Sequence, residues 1–71
     1  MIFSAARMLS RIKSEGRMDM VDEETRSIMN KLDGKEAKKN DFRALVYGER
    51  SFFVTDDDGN QYPVNEIDCI N

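Results

Sequence analysis

The chain has no histidine and no tryptophan, and only one cysteine and one proline among its 71 residues. The single cysteine, Cys69, excludes an internal disulfide, and the absence of histidine excludes the ordinary zinc clusters of cysteine and histidine. These are the usual supports of so small a domain, whose hydrophobic core alone rarely supplies more than about 3–5 kcal/mol. The composition therefore favours a protein that self-associates or docks on a partner.

Long apolar runs are also missing. No stretch approaches the roughly 18 apolar residues that a membrane-spanning helix requires, and the N-terminus lacks the basic region and apolar length of a secretory signal. Residues 1–14 are amphipathic and acid-free, as in a mitochondrial presequence, but their removal would take away an apolar face that the core needs. We therefore expect a cytoplasmic protein without membrane contact.

The residues that usually carry catalysis are scarce. Without histidine, a nucleophile would need Lys, Asp or Glu as its base. Cys69 has acidic neighbours, which raise rather than lower the pKa of a thiol. No glycine-rich phosphate loop occurs, and no spacing among the 14 acidic residues singles out a pair. The sequence predicts a protein that is not an enzyme and needs no cofactor.

An acidic segment, residues 56–60, has the composition of a calcium-binding loop but not its spacing. If Gly59 held the sixth position, Val54 would hold the first and Asn65 the twelfth, where Asp and a bidentate Glu are required. We interpret the segment as an acidic hairpin turn and predict no metal site.

Apolar residues recur at helical spacing in two N-terminal segments. Residues 2–15 form the first predicted helix, with Gly16 as its C-terminal stop. Residues 23–32 form the second, with Asp22 as N-cap and Gly34 as stop. A short connector joins the two helices, so residues 1–34 are predicted to be a helical pair.

The C-terminal part is predicted to be sheet. Residues 35–41 are a charged linker without periodicity, and residues 42–71 have the alternation and turn signals of a three-stranded antiparallel meander. A third helix that extends the linker into residues 42–47 is the alternative to the first strand. Gly48-Glu49 and Asp58-Gly59 are predicted as two-residue hairpin turns, and Pro63 fits an edge strand. The predicted fold is an α+β domain of ααβββ order.

The two turns imply a register and, with it, an interaction surface. Two-residue loops would place Phe53 opposite Val64 on the face that meets the helices. The other face would also be apolar, and two short helices cannot cover both faces. Aromatic residues beside an arginine are typical of interface hot spots. The predicted partner-binding residues are Tyr47, Arg50, Phe52, Val54 and Ile67.

These observations predict a non-catalytic protein–protein interaction module. It would self-associate or modulate a larger partner, and its size fits an accessory protein of a phage or mobile element. The distribution of charge suggests a second hypothesis. Residues 1–43 hold ten Lys/Arg and eight Asp/Glu, whereas residues 44–71 hold one Lys/Arg and six Asp/Glu. A small nucleic-acid-binding regulator would use the basic face of the first helix. The residues of that face are Arg7, Arg11, Lys13 and Arg17.

Helix, connector and helix followed by a hairpin with an acidic turn, over residues 52–62, resembles small Cro-like phage repressors. The resemblance implies that the second helix reads DNA. Its first turn, however, would present Asp22, Glu23 and Glu24 to the phosphates, which is the wrong charge. The charge pattern therefore favours the protein partner over the nucleic acid.

Overall fold

The structure is a computed structural model that describes residues 1–39 and 51–71. The elements of this part of the chain are β1 (Ile2–Phe3), α1 (Ala5–Ser14), a 3₁₀ turn (Met18–Met20), α2 (Glu23–Leu32), β2 (Ala37–Lys39), β3 (Ser51–Thr55), β4 (Gln61–Asn65), a second 3₁₀ turn (Glu66–Asp68) and β5 (Cys69–Ile70). Strands β2, β3 and β4 form a three-stranded antiparallel sheet, and β1 and β5 form a small second one. The predicted α+β class, with two helices before an antiparallel meander, is confirmed.

Helix α1 begins three residues later than predicted, because Ile2–Phe3 is a strand. Two side chains satisfy the free N–H groups at its start, as helix N-termini require. The Ser4 hydroxyl accepts from the Arg7 N–H at 3.3 Å, and Asp33, after α2, accepts from the Ala5 N–H at 2.8 Å. Asp33 thereby fixes the end of α2 against the start of α1.

Helix α2 spans Glu23–Leu32, as predicted. Asp22 is its N-cap, and the Asp22 carboxylate accepts from the Thr25 N–H at 2.8 Å. Both predicted glycine stops have the left-handed backbone that glycine adopts without strain, with φ of 70° at Gly16 and 85° at Gly34. Local sequence signals were sufficient for these boundaries.

Strand β1 connects the two sheets. Ile2 pairs with Ile70 on one side and forms an isolated antiparallel bridge to Glu36 on the other. The Ala37 N–H donates to the Met1 carbonyl at 2.8 Å, on the flank of that bridge. Because Glu36 runs directly into β2, the strands follow one another in the order β5, β1, β2, β3, β4.

The segment predicted as a linker contains a strand. Ala37–Lys39 pairs antiparallel with β3, with Ala37 opposite Val54. Ala37 is buried, and this packing gives a short charged segment a place in the sheet that its composition did not indicate. The predicted strand over 42–47 and the predicted turn at Gly48-Glu49 lie outside the described residues.

The second hairpin turn differs from the prediction by one residue. The Asp56 N–H donates to the Asn60 carbonyl at 2.9 Å, and the Gly59 N–H donates to the Asp56 carbonyl at 3.1 Å. With Gly59 at a φ of 86°, this is a three-residue loop in which a turn is followed by a left-handed residue. The prediction of a two-residue turn at Asp58-Gly59 is wrong.

The changed turn reverses the faces of β3, whereas Tyr62 and Val64 of β4 stay on the inner face predicted for them. Phe52 pairs with Val64 and Phe53 with Pro63, so the predicted pairing of Phe53 with Val64 is also wrong. A shift of one residue turns every side chain of a strand to the opposite face. The buried core therefore lies between the helices and the inner face of the sheet. It consists of Phe3, Ala5, Met29, Leu32, Ala37, Phe52, Val54, Val64 and Cys69.

Candidate functional site

The structure divides the predicted partner-binding residues. Phe52 and Val54 are 7% and 0% exposed and belong to the core, so their assignment to the uncovered sheet face is corrected. Tyr47 and Arg50 lie outside the described residues. Ile67 is 60% exposed. Of the residues that can be placed, only Ile67 is therefore available at the surface.

A different row of side chains occupies the face of the sheet opposite the core. Neighbouring residues of a strand point to opposite faces, and the neighbours of these residues point inward. Ile2 and Ile70 alternate with buried Phe3 and Cys69, and Phe53 lies between two core residues. We call this surface the outer face. Its middle consists of Ile70, Ile2, Glu36, Lys38, Phe53 and Pro63, and the polar residues Thr55, Gln61 and Asn65 lie on the same side of β3 and β4.

Within the outer face, two apolar pairs flank two charges. Ile2 lies opposite Ile70 at one end, and Phe53 lies opposite Pro63 at the other. Phe53 is half-buried, whereas Pro63 is exposed. Lys38 of β2 and Glu36, which immediately precedes β2, lie between the two apolar pairs.

Sequence reasoning missed Ile2 because it assigned this residue to the apolar side of the first helix. The signal that could have found it is Ser4, a strong N-cap type, which would start the helix at the next residue. Ile2 and Ile70 are 41% and 46% exposed. Their pairing joins the two ends of the chain, and neither segment alone indicates it.

One member of the predicted basic face has a structural role. The Arg11 side chain is 15% exposed, and its Nε and Nη2 donate to the Asp68 carboxylate at 2.8 and 3.3 Å. Its Nη1 also donates to Glu15 at 3.0 Å. The pKa of Arg11 is raised, first by the hydrogen bond to Asp68, although burial opposes the change. Arg7, Lys13 and Arg17 remain exposed.

Asp68 is fully buried and connects α1 to the C-terminal segment. Besides Arg11, its carboxylate accepts from the Asn65 N–H at 2.9 Å, and its backbone carbonyl accepts from the Ser4 N–H, also at 2.9 Å. Each carboxylate oxygen therefore has a donor, as a buried charge requires. This pairing positions the segment that carries Ile67 and Ile70.

The acidic turn is stabilised by its own hydrogen bonds. The Asp56 carboxylate accepts from the N–H groups of Asp58 and Asn60 at 2.9 and 2.8 Å, from Asn60 Nδ2 at 3.2 Å and from the Tyr62 hydroxyl at 3.1 Å. Among residues 1–39 and 51–71, no three His, Cys, Asp or Glu side chains are grouped to hold a metal ion. Asp56 thus acts here as a turn residue.

This arrangement makes the hairpin sensitive to acid. Desolvation would raise the pKa of Asp56, but the hydrogen bonds from Asn60, Tyr62 and Asp58 outweigh it and lower that pKa. A lowered folded-state pKa gives stability that is complete above the unfolded value of about 4 and is lost as the pH falls through the folded value. We expect acidification from neutral pH to about pH 3 to lower the Tm of the wild type by several degrees more than that of Asp56→Asn.

Calorimetric melts over this pH range test the expectation. Asp57→Asn is the matched control, because Asp57 is 92% exposed and contacts only the Lys35 ammonium among the contacts described, at 2.8 Å. The control should keep the acid sensitivity of the wild type. Equal sensitivity in Asp56→Asn and the wild type would contradict this role of Asp56.

A cleft of about 630 Å³ lies between α2 and the acidic turn. Lys31, Lys35 and Tyr62 line it opposite the turn, and Lys35 is paired with Asp57 across it. Tyr62 donates to Asp56 within the hairpin, so this bond fixes one wall of the cleft, and among the contacts described only the exposed Lys35–Asp57 pair crosses to the other wall. The polar contacts described in this cleft stabilise the hairpin turn and connect it to Lys35, which follows α2.

Cys69 is the one thiol in the chain. It is buried, and its pKa is raised, first by burial and then by the neighbouring Asp68 carboxylate. A raised pKa keeps the thiol protonated and unreactive at neutral pH. Cys69 is therefore a packing residue of β5.

No protein family, curated protein or solved structure matches this chain. In the described part of the chain, no helix combines the length and the apolar composition needed to cross a bilayer.

Proposed function

We propose that this chain is a non-catalytic protein–protein interaction module that binds through its outer face. The observation that carries the proposal is the exposed cross-strand pair of Ile2 and Ile70, at 41% and 46% exposure. Removing apolar surface from water contributes about 25 cal/mol per Å², so covering adjacent isoleucines favours association. Within residues 1–39 and 51–71 the helices cover the inner face, and the outer face is the one that we propose for a partner.

The rest of the outer face supports the same function. Phe53 and Pro63 add a second apolar pair on the same side of the sheet, and aromatic residues are enriched at interface centres. Ile67, the exposed residue retained from the sequence-based set, lies three residues before Ile70. The surface thus has apolar anchors with charged side chains between them.

The chemistry of the other surfaces favours binding over catalysis. The buried Cys69 thiol is unactivated, and in the cleft beside α2 Lys35 is paired with Asp57 and Tyr62 with Asp56. We further propose that the module acts in the cytoplasm as an accessory protein of a phage or mobile element. Small size and the scarcity of catalytic residue types support that assignment.

A nucleic-acid-binding regulator is the alternative, and it rests on the exposed residues Arg7 and Lys13 of α1 and Arg17, which precedes the 3₁₀ turn. The engagement of Arg11 with Asp68 weakens it, as does the net charge of −3. Phosphate binding of this kind falls steeply with salt. Titration with duplex DNA at low salt should show no binding at micromolar protein, whereas salt-sensitive binding lost in Arg7→Glu would favour the alternative.

The proposed function predicts that Ile70→Lys loses partner binding while the chain stays folded. A lysine on the outer face introduces a charge that the partner must desolvate, and we expect affinity to fall at least about tenfold. Capture from the native host's lysate with mass spectrometry, together with sedimentation of the purified protein, measures hetero- and self-association. Circular dichroism verifies folding.

Met20→Lys is the matched control for this experiment. Met20 is 63% exposed but lies in the 3₁₀ turn between the helices, away from the sheet. It should bind like the wild type. Equal loss in both variants, or loss in neither, would count against binding through the outer face.

A further inference from the structure

We propose that the outer face binds a second copy of this chain, so that two sheets pack face to face. This inference rests on the proposed function of the outer face and names its partner.

The charges of the outer face complement their own copy. Glu36 and Lys38 are exposed, have opposite sign and lie two residues apart on the same side of the central strand. Consider a two-fold axis that lies between the two sheets and runs perpendicular to β2 at the level of Ala37. It would place Glu36 of each copy opposite Lys38 of the other. A two-fold interface repeats every contact, so this charge pair would occur twice. A partner of uniform charge would oppose one of the two residues.

In the part of the sheet that the structure describes, the edges are poor sites for self-association by strand addition. Proline has no N–H, so Pro63, paired with Phe53, leaves β4 without a donor at that outward position. At the next outward position, the Asn65 N–H donates to the Asp68 carboxylate. The opposite edge, β5, is only two residues long. We therefore expect two copies to associate through the outer face and not through the strand edges.

The small size of the hydrophobic core favours association with a second copy. A single core in a chain of 71 residues leaves little stability in reserve. Packing a second copy over Ile2, Ile70 and Phe53 removes apolar surface from water without exposing the inner core. Dimer formation would raise the Tm with protein concentration, as mass action requires.

A charge exchange tests the proposal. Glu36→Lys should place lysine opposite Lys38 of the second copy, and Lys38→Glu should place glutamate opposite Glu36. We expect each to weaken the dimer about tenfold or more, because like charges would meet twice. The double variant Glu36→Lys/Lys38→Glu restores opposite charges in a homodimer and should return the dissociation constant to within about threefold of the wild type.

Sedimentation equilibrium over micromolar to millimolar concentrations measures these constants, with Lys13→Glu on α1 as a charge control. Restoration in the double variant identifies the second copy, because a different protein would keep its own charges and would not regain binding. A wild type that is monomeric at all concentrations, or a double variant that stays dissociated, overturns the proposal. If a monomeric wild type still captures a protein that Ile70→Lys loses, the proposed function stands and only the second copy is excluded.

Discussion

Phe52→Glu is expected to unfold the chain, whereas Phe53→Glu is expected to leave it folded. Phe52 is 7% exposed and packs in the core, while its neighbour Phe53 points to the outer face and is half-buried. Losing a buried phenylalanine side chain costs about 3–5 kcal/mol, and an unpaired buried carboxylate adds to that cost. A domain of this size has roughly that much stability in total.

Far-UV circular dichroism and thermal melts of the two variants measure this difference. The pair also tests the register, because the two-residue turn predicted from sequence would put Phe53 in the core and Phe52 outside. If Phe53→Glu unfolds the chain and Phe52→Glu does not, the assignment of Phe52 to the core and of Phe53 to the outer face is wrong. In the dimer proposed above, Phe53→Glu should weaken association while its far-UV spectrum stays that of the wild type.

Asp68→Ala has the second large expected effect, a loss of about 3–5 kcal/mol in the free energy of unfolding. The substitution leaves the Arg11 guanidinium, 15% exposed, without its buried carboxylate and removes the acceptor of the Asn65 N–H. Breaking one side of a buried pair is costly because the remaining charge loses its partner; Arg11 keeps Glu15, but its Nε and Nη2 and the Asn65 N–H lose their acceptors. Chemical denaturation with urea measures the change.

Two further variants separate the ion pair from the rest of the Asp68 environment. Arg11→Ala and the double variant complete a mutant cycle, which should return a favourable coupling between Arg11 and Asp68. Asp57→Ala removes a carboxylate from an exposed pair with Lys35 and should change stability little. If Asp68→Ala is no more destabilising than Asp57→Ala, the buried pair does not hold α1 to the C-terminal segment.

The sequence by itself determined the helices and the class of the fold. The start of α2 follows from Asp22, whose carboxylate caps the helix. Its end follows from the Asp33-Gly34 turn, which the bond from the Lys35 N–H to the Leu32 carbonyl closes. Gly16, with its positive φ, ends α1 directly. Each signal acts within one or two turns of helix, so it can be seen in the chain without knowledge of the fold. Alternating residues and the acidic turn indicated the antiparallel sheet.

The faces of the sheet and the site were decided only by the tertiary structure. Ile2 fits a helix as well as a strand, and its pairing with Ile70 selects the strand. Arg11 and Asp68 are separated by 57 positions, so no local pattern links them. The register of β3 and β4 depended on one additional residue in the loop before Asn60. Local propensity is similar for both registers, and burial of Phe52 rather than Phe53 distinguishes them.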